Sequence, residues 1–212
     1  MKRYLLFIVL VVATLCAKAT DRFYIQSFTM SPGQTRTVSI FLDNETAFTA
    51  FQTDLYLPEG LNTDEDSFDL TERKSSNHTL TVSRFPDGSY RLMSYSIKLK
   101  TYSDNSGALV TFDLTASEDF SGPVVITLRN TIFTTEEGEE IAFEDDECTV
   151  FLKGDVNIDA TVNVSDLTCL IDMLSDDINN ASDSPQADIN EDGIINIKDT
   201  TDLIDFLLAI NN

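Results

Sequence analysis

The C-terminal part of the sequence contains an internal duplication, which restricts it to two copies of one small unit. The segment "DVNIDATVNVSDLTCLIDML" begins at Asp155, and "DINEDGIINIKDTTDLIDFL" begins at Asp188. Aspartate, asparagine, threonine, leucine and isoleucine recur at matching positions. The two segments are therefore true repeats, and their similarity does not arise from amino-acid composition alone. Each copy has an oxygen-rich first half followed by apolar residues at helical spacing, which predicts a loop and then one helix.

Each loop places oxygen-bearing side chains at positions 1, 3, 5, 9 and 12, the spacing of a twelve-residue calcium loop. Alternate residues of a tight loop can direct oxygens at one centre, and the backbone carbonyl at position 7 adds another. We therefore predict two Ca²⁺ sites. The predicted ligands are Asp155, Asn157, Asp159, the Thr161 carbonyl, Asn163 and Asp166 in the first loop, and Asp188, Asn190, Asp192, the Ile194 carbonyl, Asn196 and Asp199 in the second.

A single loop of this kind is often a solvated Asx-rich turn, but the duplication and the local charge favour an ion. From Gly154 to Asn212 there are 13 acidic residues and one basic residue, Lys198. The two loops differ at position 6, where a sharp turn requires a positive φ. Gly193 accepts that geometry freely, whereas Ala160 in the same conformation would carry about 1 kcal/mol of backbone strain. The second site is therefore predicted to bind calcium more tightly.

The doubled loop-helix unit, from Gly154 to about Ile210, resembles a type I dockerin, a small α domain that calcium folds and that docks onto a cohesin-type protein domain. The resemblance implies partner-facing residues at loop positions 10, 11, 17 and 18. These are Val164, Ser165, Ile171 and Asp172 in the first copy, and Ile197, Lys198, Ile204 and Asp205 in the second. The alternative is that Ile171 and Ile204 belong to the core, as apolar helix residues usually do. Val-Ser and Ile-Lys replace the serine and threonine pair common in cellulosomal dockerins, so partner specificity cannot be transferred.

Residues 20–153 follow a different pattern, in which apolar and polar residues alternate. Val38, Ile40 and Leu42 share one face of a predicted strand. Phe51, Leu55 and Leu57 share one face of the next, and Gln52, Asp54 and Tyr56 lie on its outer face. Similar runs recur at 80–82, 108–116, 124–128 and 148–152, separated by turn signals such as "SPGQ", "PDGS" and "EEGEE". Many short strands without intervening helices predict an antiparallel β-sandwich of jelly-roll or immunoglobulin-like type.

The stretches "SPGQTRTVSIFLDN", "AFTAFQTDLYLPEGL" and "NSGALVTFDLTASEDFSGPVVITLRNTIFTTEEGEEI" resemble a cohesin domain, or the related bacterial carbohydrate-binding sandwiches. The first resemblance implies a protein partner, including another copy of this chain joined head to tail. The second implies a polysaccharide ligand, for which Tyr56, Tyr95 and Tyr102 are candidate platforms because the chain has no tryptophan. Both resemblances imply a role in extracellular polysaccharide processing.

The N-terminus has the features of an export signal. Lys2 and Arg3 precede the apolar run "YLLFIVLVVATL", and the small residues Ala17 and Ala19 predict cleavage before Thr20. Lipoprotein processing before Cys16 is the alternative. The prediction is a protein that is secreted or held at the cell surface, with a signal peptide at 1–19, a sandwich at 20–153 and a dockerin at 154–212. After cleavage, Cys148 and Cys169 remain; the options are a disulfide or two small buried residues.

Composition excludes several function classes. With 14 basic and 36 acidic residues, a net charge of -22, the chain is unsuited to nucleic acid or to anionic membrane surfaces. The one histidine, His78, is in a polar turn and is predicted to be a solvated loop residue, and no nucleophile-base signature accompanies it. Asp54, Glu59 and Glu72 are carboxylates without a recognisable catalytic context. We therefore predict a non-catalytic, calcium-binding assembly protein.

Overall fold

The computed structural model describes residues 21–176, 180–182 and 184–210. The predicted signal peptide at 1–19, and Cys16 with its alternative processing, lie outside the described residues. None of the described helices is long and apolar enough to cross a membrane.

Within the described residues, twelve strands precede two helices. The strands are β1 Arg22–Tyr24, β2 Phe28–Met30, β3 Thr35–Asp43, β4 Phe48–Tyr56, β5 Leu61–Thr63, β6 Asp69–Leu70, β7 His78–Arg84, β8 Tyr90–Ser96, β9 Ala108–Ala116, β10 Val124–Thr135, β11 Glu140–Ala142 and β12 Asp146–Leu152. The helices are α1 Val164–Ser175 and α2 Ile197–Ile210, and short 3-10 turns lie at Glu65–Ser67 and Pro185–Ala187. This order agrees with the predicted change from strands to loop-helix units after residue 153.

The strands form a sandwich of two sheets. One sheet has the order β1-β3-β9-β5, with β6 also paired to β9; the other has the order β2-β12-β10-β4-β8-β7, with β11 also paired to β10. The pairs are antiparallel, as predicted, except that β2 runs parallel to β12. The parallel pair brings β2 beside the end of β12, which is where the chain leaves the sandwich.

The sandwich core lies between the two sheets and has the alternation that the sequence predicts. Val38, Ile40 and Leu42 of β3 are all less than 5% exposed. A cluster of phenylalanines fills the centre, where the rings of Phe48 and Phe51 pack against Phe133 with centroids 4.8 and 5.4 Å away. Aromatic contacts of this kind add to the apolar area that each side chain buries.

Asp54 is predicted on the outer face of β4, and the structure nevertheless buries it to 2% exposure. Its two carboxylate oxygens accept bonds from Nε and Nη2 of Arg91, both at 2.7 Å, and Asn130 donates a third bond at 2.9 Å. The hydrogen bond from Arg91 is the main reason why the pKa of Asp54 lies below its usual value. Asp54 is therefore a paired structural carboxylate, with its oxygens occupied.

The prediction that His78 is solvated is wrong. It begins β7, its ring stacks on Tyr102 with centroids 4.1 Å apart, and its Nδ1 accepts a bond from the Ser75 backbone N–H at 3.0 Å. Burial lowers the pKa of His78. Tyr102 is 6% exposed and donates to Ser94 Oγ at 2.7 Å, so it cannot serve as a surface platform for sugar. The sequence suggested a loop because His78 follows several polar turn residues.

A second, smaller core joins the two C-terminal helices to their loops. Leu170 of α1 and Leu203 of α2 are fully buried, and the loop residues Val156 and Ile189 are 3% and 5% exposed. Cys169 lies at the edge of this core, whereas Cys148 is buried in the sandwich core, and both are free thiols. Cys148 and Cys169 therefore do not form a disulfide, and each packs as a small apolar side chain in its own domain.

Candidate calcium sites and docking face

The aspartate at position 1 of each loop closes the loop on itself. In the first loop, the Asp155 carboxylate accepts bonds from the backbone N–H groups of Asp159 and Ala160, at 3.0 and 2.9 Å. The Asp188 carboxylate makes the same two bonds to Asp192 and Gly193, at 3.1 and 2.8 Å. Both oxygens of each side chain therefore point into a tight turn, and their role as calcium ligands stays a prediction.

The aspartate at position 12 connects each loop to its helix. Asp166 Oδ1 accepts from the N–H groups of Val156 and Asn157 at 2.9 and 3.1 Å, and its Oδ2 accepts from Asn163 at 2.8 Å. The equivalent Asp199 makes matching bonds in the second copy, at 2.9, 3.2 and 2.9 Å. The duplication in sequence is thus a duplication of the hydrogen-bond framework.

The position 9 asparagines, unlike the other predicted calcium ligands, cap the helices. The Oδ1 atoms of Asn163 and Asn196 accept bonds from the N–H groups of Ser165 and Lys198, both at 2.8 Å, and so cap the two helices. Their amide groups donate to the carbonyls of Thr161 and Ile194, the predicted position 7 ligands. These asparagines hold the loop in shape, and direct contact of their oxygens with an ion would compete with the caps.

The charges of these loops fit a hard divalent cation. Asp155, Asp166, Asp188 and Asp199 are 2%, 0%, 6% and 0% exposed, and within the described residues none of them forms a salt bridge. Burial raises the pKa of Asp155, and the nearby carboxylates of Asp166 and Asp159 raise it further. Across the described ranges, no three His, Cys, Asp or Glu side chains gather into a metal site by themselves. The predicted ligand sets also include amide and carbonyl oxygens. Oxygen-rich sets of that kind suit calcium.

The backbone of the first loop is the more strained of the two. Ala160 adopts φ +64 where Gly193 adopts φ +89, as the position 6 comparison predicts. Position 4 is also left-handed in both copies, with Ile158 and Glu191 at φ +60, which the sequence did not indicate. A β-branched residue such as Ile158 is especially unfavourable in this region. The ranking of the second site as the tighter one stays a prediction, and this geometry supports it.

Exchanging the residues at position 6 tests that ranking. Ala160→Gly is expected to tighten the first site by up to about fivefold, because the strain removed is about 1 kcal/mol. Gly193→Ala is expected to weaken the second site by a similar factor, and among the described residues no atom beyond its chain neighbours lies within 4 Å of the added methyl group. Calorimetric calcium titration of the full chain measures both affinities. A tighter first site in the parent protein would contradict the ranking.

The residues predicted to face a partner lie on the outside of the two helices. Ile171 and Ile204 are 46% and 40% exposed, and Val164 and Ile197 are 69% and 73% exposed. The neighbouring residues Ser165, Asp172, Lys198 and Asp205 are exposed as well. The helices bury Leu170 and Leu203 instead, so the alternative that Ile171 and Ile204 form the core is wrong. Each helix leaves apolar side chains in water beside a carboxylate.

Comparison with solved structures defines the class of the N-terminal domain. The sixth cohesin of scaffoldin B from Acetivibrio cellulolyticus, solved in complex with a mutant Cel5 dockerin, matches with a TM-score of 0.51 and 14% identity over 63% of this chain and 99% of that chain. A type II cohesin domain from the cellulosome of the same organism matches with a TM-score of 0.51 and 13% identity, over 62% and 95%. The sandwich therefore has the cohesin fold.

Comparison with protein families identifies the second domain. Residues 153–208 match the family described as Dockerin type I domain. The chain thus joins a sandwich of cohesin fold to a dockerin type I domain, and domains of that type typically bind calcium. No catalytic domain was found among the matches. No curated protein matches the sequence.

Proposed function

We propose that the protein is a secreted assembly module whose calcium-loaded dockerin docks onto a cohesin-type domain. The exposure of Ile171 and Ile204 on two equivalent helix faces is the observation that supports this function most directly. Large aliphatic side chains in water beside acidic residues are typical of a surface that a partner covers. Dockerins bind cohesins, and the similar A. cellulolyticus cohesin was solved with a dockerin bound.

Calcium acts in this function by fixing the helices on which the face lies. Asp166 and Asp199 accept three backbone bonds each at the start of α1 and α2, so an ion held by the loops also orients the helices. Docking should therefore require calcium even though the ion does not lie in the docking face. Extracellular calcium is sufficient for sites of this type, which agrees with the proposed secretion.

A second copy of the chain is a partner that the sandwich itself favours. Met93, Tyr95 and Ile97 project from the outer side of β8 and the turn after it, with exposures of 40%, 44% and 82%. Lys98 and Lys100 follow, and within the described residues neither forms a salt bridge. This apolar and basic surface complements the acidic, apolar helix faces of the dockerin. Association would then be head to tail and able to continue.

The proposal is tested by replacing the two exposed isoleucines. In calcium, the full chain is expected to self-associate by sedimentation velocity and to dissociate when calcium is chelated. Because the two faces are equivalent, Ile171→Asp or Ile204→Asp alone should weaken association by about twofold, the loss of one of two alternative faces. The double variant should weaken it by more than about thirtyfold, as expected when a central apolar contact is replaced by a charge.

Ile210→Asp is the matched control for these variants. Ile210 is 51% exposed on the same helix as Ile204, but it points to a different side of that helix. Its replacement should leave association unchanged. If the parent chain neither self-associates nor binds an added cohesin domain in calcium, or if the double variant binds as well as the parent, the proposed docking function is wrong.

Glycan binding by the sandwich is the second candidate. A cavity of about 660 Å³ at one end of the sandwich is lined by Tyr56, Tyr90, Asn62 and Glu59, among others. Its size is that of a small-ligand site, and the Tyr56 ring with polar neighbours suits a sugar, whereas Tyr90 is 4% exposed and offers little ring surface. Tyr95, on β8, is the one nominated platform that is well exposed. A role in polysaccharide processing rests on this candidate and on the origin of the similar cohesins.

A further inference from the structure

The second calcium loop lies against the sandwich. Lys153 Nζ contacts Glu191 Oε1 at 3.1 Å, and Arg36 Nη2 contacts Glu191 Oε2 at 3.4 Å. Glu191 is at position 4 of that loop, between the predicted ligands Asn190 and Asp192. A cavity of about 230 Å³ remains along this contact, bordered by Phe28, Thr29 and Arg36 from the sandwich and by Pro185, Asp188 and Glu191 from the dockerin.

Arg36 and Lys153 each make a contact within the sandwich in addition to their ion pair with Glu191. Arg36 donates to the Thr29 carbonyl at 2.9 Å, and its guanidinium lies 4.9 Å from the centre of the Phe28 ring. The Lys153 backbone N–H donates to the Met30 carbonyl at 2.9 Å. Both side chains are about a quarter exposed. The Arg36 guanidinium is therefore held in place by contacts within the sandwich, and the Lys153 side chain projects from an ordered backbone.

The junction between the domains is also tightly packed. Gly154 adopts φ +88, and a methyl group there would lie 2.8 Å from the Phe206 ring of α2. Val162 packs against the sandwich core and against the dockerin core. The dockerin thus has a defined position on the sandwich, in agreement with the short connection at Lys153 and Gly154. Glu191 can only reach both cations in that position.

The two calcium loops are unequal in this contact. Position 4 of the first loop is Ile158, which carries no charge and is 44% exposed. Position 4 of the second loop is Glu191, in the same left-handed backbone conformation. An ordered loop binds an ion more tightly than one that must be ordered on binding, because less conformational entropy is lost. An ion pair to the sandwich has most effect on the loop at Glu191, because this residue must be kept in an unfavourable left-handed conformation.

We propose that Arg36 and Lys153 are positioning residues of the second calcium site, and that they act by holding Glu191 and with it the loop. The inference rests on the calcium binding proposed above. It makes the second site a property of both domains, so that calcium binding and the fixed domain arrangement stabilise each other. Within the part of the chain that the structure describes, no ion pair holds position 4 of the first loop.

Removing the charge of Arg36 or Lys153 has opposite effects on calcium affinity if these residues position the loop or if they only repel the ion. Lysine and arginine are like charges to Ca²⁺, so their direct effect is to repel the ion. If that effect dominated, Lys153→Gln and Arg36→Gln would tighten the second site, by less than about threefold at this distance in salt. If positioning dominates, each substitution should weaken the second site by about twofold to fivefold, because the loop is no longer held.

The test is calorimetric calcium titration of the full chain and its variants. Lys153→Gln and Arg36→Gln are expected to weaken the second site and to leave the first unchanged. In a Glu191→Gln background, the effect of Lys153→Gln should reverse to a slight tightening, because only repulsion is left. Lys74→Gln is the matched control: it also breaks a 3.1 Å ion pair, to Asp69 of the sandwich, and should change neither site.

Tighter binding by Lys153→Gln and Arg36→Gln in the parent background would overturn the inference, as would unchanged affinity of the second site. Those results would leave the proposed docking function intact. An absence of calcium binding in the parent chain would overturn both proposals. A loss of the first site together with the second would indicate general unfolding of the dockerin and would also count against a positioning role.

Discussion

Removal of calcium is expected to unfold the C-terminal domain and to leave the sandwich folded. Four carboxylates, those of Asp155, Asp166, Asp188 and Asp199, are buried in this small domain, and within the described residues none has a basic partner. Burying unpaired carboxylates costs several kcal/mol, and the apolar core that opposes this cost is small. The sandwich has a far larger core and does not depend on the ion.

The size of the effect follows from the two sites. Each site that is saturated at one hundred times its dissociation constant adds about 2.7 kcal/mol to the stability of the folded domain. Two such sites would account for most of the stability of a domain this small. Scanning calorimetry should therefore show two transitions in calcium, and chelation should remove the one that belongs to the dockerin. Far-ultraviolet circular dichroism should lose its helical component and keep its strand component.

Magnesium serves as a control for this experiment, because its strict octahedral geometry makes it a poor substitute in flexible oxygen-rich loops. It should restore little of the helical signal. A variant that combines Asp155→Asn with Asp188→Asn should behave in calcium as the parent does after chelation. Retention of both transitions in the chelated parent would contradict the expectation and would mean that the C-terminal core folds without the ion.

Much of the dockerin could be predicted from the sequence, since its information is local. Spacing within one loop fixes which oxygens can converge, and the second copy checks the first. Asp155 and Asp188, or Asp166 and Asp199, make the same backbone bonds because the same residues surround them. Position 4 escaped prediction, because a left-handed Ile158 has no signature in the sequence and becomes visible only in the backbone.

The sandwich was less predictable, since its strands pair across long separations. β8 was missed because its alternation is reversed: Ser94 and Ser96 face inward and are buried, whereas Met93 and Tyr95 face outward. The buried hydroxyl of Ser94 is matched by Tyr102, a contact that no local pattern reveals. Asp54 was placed on the correct face of β4 and still proved buried, because Arg91 and Asn130 from neighbouring strands cover it. Contacts between domains, such as Lys153 with Glu191, were likewise beyond local patterns.

Arg73 is a buried cationic side chain with many hydrogen bonds, which the sequence did not indicate. Its side chain is 5% exposed, and its guanidinium donates five hydrogen bonds of 2.6 to 2.9 Å. The acceptors are the carbonyls of Leu42, Ser103, Asp104 and Gly107 and the side-chain oxygen of Asn44. One residue thereby joins the end of β3 to the chain segment that leads into β9.

Replacing Arg73 is expected to destabilise the sandwich more than any surface change. Arg73→Met keeps much of the side-chain length and removes all five donors, so several acceptors lose their partners at once. Each unsatisfied buried acceptor costs about 1 to 3 kcal/mol, and relaxation with water entry limits the total to about 3 to 5 kcal/mol. Arg73→Lys should recover little of this, because an ammonium group cannot reproduce the planar fork of donors.

Denaturant unfolding in calcium measures the effect, with the sandwich transition followed separately from that of the dockerin. Lys74→Met is the matched control, since the next residue along the chain is exposed and forms a surface ion pair with Asp69. Such pairs contribute at most about 1 kcal/mol, so this variant should unfold close to the parent midpoint. If Arg73→Met unfolded there as well, the guanidinium would be replaceable by water, and the end of β3 would be held by its strand pairing alone.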